Sequence, residues 1–63
     1  MRYFEHAGYF ITLDYNHSGC IATARSDDDW FKINYQGYSD RQIKGRVKVQ
    51  IDYRVENNIT EGV

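Results

Sequence analysis

The sequence predicts an α+β domain in which a three-stranded antiparallel β-meander is covered on one face by a C-terminal helix. Three observations lead there. Residues 9–15, 20–25 and 30–36 each alternate in side-chain character with a period of two, as strands with unlike faces do. The segments between them, Asn16-His17-Ser18-Gly19 and Ser26-Asp27-Asp28-Asp29, are rich in turn formers and short enough for hairpins. After the third run, Ser39-Asp40-Arg41-Gln42 has the form of a capping box, and Ile43, Val47, Ile51 and Val55 then recur at every fourth position.

In the first strand Tyr9, Ile11, Leu13 and Tyr15 share one face, and Phe10, Thr12 and Asp14 share the other. The second alternates Cys20, Ala22 and Ala24 with Ile21, Thr23 and Arg25; the third alternates Phe31, Ile33 and Tyr35 with Trp30, Lys32, Asn34 and Gln36. Cross-strand partners must face the same side, so the loops set the register. Closing the first loop pairs Tyr15 with Cys20, Leu13 with Ala22 and Ile11 with Ala24. Closing the second pairs Ala24 with Phe31, Ala22 with Ile33 and Cys20 with Tyr35. Large side chains then flank a central strip of small ones, a trough shaped for a helix.

The same register sets Phe10 and Trp30 on either side of Arg25 on the opposite face. A guanidinium between two rings gains roughly 0.5–2 kcal/mol from cation-π attraction, and Trp and Arg are enriched at binding hot spots. Phe10, Arg25 and Trp30 are therefore candidate partner-binding residues, against the simpler reading that they shield an exposed sheet. Asp27, Asp28 and Asp29 occupy a hairpin loop where Asp bonds nearby amides. Three in succession also make a candidate acidic surface for a basic partner.

Two readings compete after Ser39. As a helix over residues 39–55, the four-residue apolar spacing fills the trough and places Arg41, Lys44 and Lys48 outside. As a short helix ending at Gly45 followed by a fourth strand, residues 46–55 alternate without error. The longer helix is preferred. The single domain is assigned to residues 1–56, and residues 57–63 to a loose polar tail.

Length and composition bound the rest. A chain of 63 residues holds one domain, and 41% hydrophobic with 16% aromatic residues is too apolar for a disordered tail. The net charge of −1 conceals polarity along the chain. Residues 1–40 hold three bases against six acids, and residues 41–63 five bases against three acids. No run approaches the length of a membrane span, nothing at the N-terminus reads as a signal peptide, and the lone Cys20 fits a reducing compartment. A cytoplasmic protein is expected.

The pattern Gly37-Tyr38-Ser39-x-x-x-Ile43-x-x-x-Val47-x-x-x-Ile51 resembles the closing helix of many small bacterial and phage-encoded proteins, and Gly8-Tyr9-Phe10-Ile11 resembles their first strand. The resemblance covers about residues 8–52 and departs from the pattern at Gly45 and Val49, where good helix formers are usual. In size, lone cysteine and layout the chain is similar to phage and mobile-element inhibitors, including anti-CRISPR proteins. That similarity implies an inhibitor presenting carboxylates to a basic nucleic-acid-binding surface of a host defence complex.

No catalytic residue, cofactor or metal is expected. His17-x-x-Cys20 is half of a zinc-ligand set, Cys20 is assigned to the core beneath Tyr15 and Tyr35, and a domain of this size leaves little room for a pocket. The sequence thus points to a non-enzymatic protein-binding module using Asp27, Asp28, Asp29, Trp30, Phe10 and Arg25. One alternative is a nucleic-acid binder using Arg41, Lys44, Arg46 and Lys48; another is a homodimer that buries Phe10, Ile21 and Trp30.

Overall fold

A computed structural model describes residues 2–59 of the chain. Four strands, β1 (Arg2–His6), β2 (Tyr9–Asn16), β3 (Gly19–Arg25) and β4 (Trp30–Tyr35), form one antiparallel sheet in sequential order, followed by the helix α1 (Asp40–Glu56). Every cross-strand pair expected for β2–β3 and β3–β4 is present, from Tyr15↔Cys20 to Ala24↔Phe31.

The expected three-stranded meander is corrected by β1. Four strands form, but the fourth precedes the other three and pairs with β2 from Arg2↔Leu13 to His6↔Tyr9. The joining residues Ala7 and Gly8 have φ of 51° and 84°, the two positive values a type I′ hairpin turn requires. Alanine enters that region at a cost of about 1–2 kcal/mol, so an Ala-Gly turn carries little of the signal that Asn-Gly would.

Residues 46–55 are helical throughout. Ser39 caps α1: its Oγ accepts from the Gln42 N–H at 3.2 Å, while its own N–H donates to Gln42 Oε1 at 2.9 Å. Ile43, Val47 and Ile51 are fully buried and meet Ile11, Leu13, Cys20, Ala22 and Ala24 in the core. The alanine strip is the floor on which the helix sits. Val55, expected as the fourth anchor, is half exposed. At about 100° per residue, a four-residue step drifts about 40°, so three steps carry Val55 about 120° from Ile43. Arg54, eleven residues on from Ile43, returns to within about 20° and turns inward instead.

The start of the assigned loose tail is an ordered cap. Asn58 takes φ 54°, its N–H donates to Val55 O at 3.3 Å, and the Ile59 N–H donates to Arg54 O at 2.9 Å, a Schellman motif. The rest of that tail, residues 60–63, lies outside the described residues. No helix among the described residues is long and apolar enough to cross a membrane.

Candidate functional site

Among the described residues, no element covers the face of the sheet away from α1. Its end row, read across the strands, is Glu5, Phe10, Arg25 and Trp30, and Tyr3, Thr12, Thr23 and Lys32 form the next. Phe10 and Trp30 remain 46% and 42% exposed, on either side of Arg25 as the alternation requires. Tyr3, 69% exposed, stacks on Phe10 with centroids 5.3 Å apart and planes 22° from parallel. Tyr3 and Glu5 are not among the residues expected from the sequence, because β1 is not among the expected strands. The usable signal was the alternation Tyr3, Glu5 against Phe4, His6.

The three aspartates divide. Asp27 and Asp28 are exposed at the β3–β4 tip, where the Ser26 hydroxyl donates to Asp28 Oδ1 at 3.2 Å and the Ser26 N–H donates to Asp29 O at 2.8 Å. Asp29 is fully buried, which removes it from the presented acidic cluster. It has the strand parity of Phe31, so its side chain falls on the helix side of the sheet. There Arg54 donates to it from Nε at 2.8 Å and from Nη2 at 3.0 Å, and the Tyr9 hydroxyl donates to its Oδ2. Arg54 also lies over the Phe31 ring, 4.5 Å from its centroid. Burial and the bond to Asp29 raise the pKa of Tyr9.

The basic residues of α1 separate into two flanks. Lys44 and Lys48 lean over Phe4 of β1, 6.0 and 5.8 Å from its ring centroid, and Arg41 shares the exposed side of the helix with them. Arg46 lies over Tyr38, 4.3 Å from the centroid, beyond the end of β4. Every one of these cations sits on or beside the helix, away from the aromatic face of the sheet.

At the N-terminus of α1, Asp40 gathers Arg2 at 3.0 Å, Lys44 at 3.4 Å and the Tyr15 hydroxyl. The Tyr15 bond, more than the two cations, lowers the Asp40 pKa, and the same bond, with burial second, pushes Tyr15 up to about 12. Tyr15 is a group whose folded pKa lies above its unfolded value of 10, so its contribution is complete below pH 10 and is lost as pH rises towards 12. Asp40 is the opposite case, contributing above its unfolded value of 3.8 and losing that contribution as pH falls further. Tyr15→Phe should therefore flatten the fall in melting temperature between pH 10 and 12 and weaken the acid-side dependence below pH 4. Thermal melts of both proteins across those ranges check this.

Cys20 is buried in the core, and that burial pushes its thiol pKa up, away from nucleophilic reactivity. Among the described residues, no group of three or more His, Cys, Asp or Glu side chains is placed to hold a metal ion. An open groove of about 580 Å³ lies between β4 and α1, lined in part by Ile33, Gly45 and Val49. Comparison of the chain with protein-family models, with curated proteins and with solved structures finds no match.

Proposed function

We propose that the protein is a non-enzymatic binding module that docks another protein on the exposed face of its sheet, with Tyr3, Phe10, Arg25 and Trp30 as the contact residues. The observation that carries this reading is the exposed aromatic cluster itself. Three large rings stay exposed, two of them cross-strand neighbours of Arg25, on a scaffold whose other face carries the core. Aromatic and Arg side chains are the usual anchors of protein interfaces.

Asp27 and Asp28 stand at the tip next to Trp30, and this pair supports a partner with a basic surface. A nucleic-acid-binding channel of a host defence protein has that chemistry, and occupying it is how an inhibitor of the phage or mobile-element kind would act. Asp29 has no part in the contact.

The test is binding to the partner captured from the native host, with purified variants at several salt concentrations. Trp30→Ala should weaken affinity at least tenfold at unchanged melting temperature, as hot-spot truncations do. Asp27→Asn with Asp28→Asn should slow association and reduce its salt dependence. Wild-type binding by both variants would remove this face from the mechanism. Direct binding of DNA or RNA, weakened by Lys44→Ala and Lys48→Ala, would replace the proposal with the nucleic-acid reading.

A further inference from the structure

Helix α1 treats the two edges of the sheet differently. Over β1 the junction is closed: Lys44 and Lys48 cover Phe4, Asp52 pairs with His6 at 2.8 Å, and Asp40 pairs with Arg2 at 3.0 Å. Over β4 lies the groove of about 580 Å³. Val49 projects there 66% exposed, Ile33 is only half-buried, and a Cβ added at Gly45 would meet nothing within 4 Å. Glycine inside a helix costs about 1 kcal/mol relative to alanine, and no packing within the chain requires it at this position.

The β4 edge beside the groove carries backbone groups that can still pair. Because the Ser26 N–H bonds Asp29 O directly across the hairpin, the alternation of an antiparallel ladder makes Ala24↔Phe31 and Ala22↔Ile33 the hydrogen-bonded pairs. The N–H and C=O groups of Trp30, Lys32 and Asn34 therefore point away from β3, along an edge that no described strand pairs.

We propose that this edge and groove are occupied by a second copy of the chain, β4 pairing antiparallel with β4 about a two-fold axis at Ile33. Paired residues must share a face, so a symmetric register engaging the body of the strand centres on Lys32 or on Ile33. Centring on Lys32 sets two ammonium groups directly opposite each other, which is destabilising. Centring on Ile33 sets Lys32 opposite Asn34 and Phe31 opposite Tyr35, with the two Ile33 side chains meeting on the helix side. No like charges oppose there. The groove, whose rim also carries Gln42, Arg46 and Gln50, then closes over Ile33 and Val49 from both copies, with the missing side chain of Gly45 leaving room for them. A domain of 63 residues without a disulfide gains most from such a contact, since its own core supplies little net stability.

Position 34 lies on the exposed outer face, so its charge can be changed without touching the core. Sedimentation equilibrium from 1 to 500 µM at low salt, with folding checked by circular dichroism, should show a dimer for the wild type. Asn34→Lys should weaken it and Asn34→Asp tighten it, each by about tenfold, because each change acts at two symmetric pairs. The Lys32 and Asn34 amides should gain hydrogen-exchange protection as concentration rises. A strict monomer throughout the range, even if the groove accepts an extended peptide from another protein, overturns the proposal. So does a dimer indifferent to both changes, which would place the interface elsewhere.

Discussion

Replacing Arg54 with Met should cost about 3 kcal/mol, a large share of the roughly 3–5 kcal/mol of net stability that a domain of this size has in all. Asp29 is 0% exposed, and Arg54 meets both of its carboxylate oxygens, at 2.8 and 3.0 Å. Replacing the guanidinium takes two charged donors away from a buried carboxylate, and the bond it keeps from the Tyr9 hydroxyl is a neutral one. The damage also spreads, because this pair fastens the β3–β4 hairpin to the last turn of α1 and Arg54 covers the Phe31 ring. Replacing a buried ion pair by neutral groups is far milder than breaking one. Asp29→Asn combined with Arg54→Met should therefore be more stable than Arg54→Met alone, by about 1 kcal/mol or more. Urea unfolding of the four proteins in the cycle measures this coupling. An Arg54→Met protein within about 1 kcal/mol of wild type would mean that the carboxylate is already well solvated by other means.

That pair also explains where the sequence was readable and where it was not. Alternation is a statement about faces, and it placed Leu13, Ala22 and Ile33 side by side together with the trough that receives Ile43, Val47 and Ile51. It says less about the ends of elements. Asp29 shares the parity of Phe31, yet a carboxylate between turn residues reads as solvated until its partner is known. The partner was legible only through helical phase, since Arg54 and not Val55 returns to the angle of Ile43. The same weakness hid β1: five residues with Arg, Glu and His among them, joined by Ala7 and Gly8, lack both a dense apolar pattern and a strong turn signal. Without β1, Tyr3 and its stack on Phe10 are absent from the sequence reading, and the exposed aromatic face is one strand wider than that reading has it. The perfect alternation of residues 46–55 points to a strand, the reading the four-residue apolar spacing outweighs. Val49, Tyr53 and Val55 lie exposed on the helix, so their spacing reflects surface positions and no buried face.

Gly19→Ala should be as damaging as the loss of Arg54, at about 3 kcal/mol, and for a reason no contact list of side chains contains. Gly19 opens β3 with φ +138°, and a Cβ there would stand 2.1 Å from the Tyr35 carbonyl oxygen and 3.2 Å from Gln36 Cα. The obstructing atoms are backbone, so relief requires β4 to move away from β3 at the Cys20↔Tyr35 end of the ladder. Gly8→Ala separates this effect from conformational strain alone: Gly8 has φ +84° with nothing within 4 Å of the added Cβ, so only the left-handed penalty of about 1–2 kcal/mol applies. Urea midpoints at low protein concentration, below any self-association, give both values. The amide resonances of Tyr35 and Gln36 should shift in Gly19→Ala and stay in place in Gly8→Ala. Equal losses in the two variants would show that the strands can part at this end freely, and the tight junction that aims β4 and its exposed edge would then carry no energetic weight.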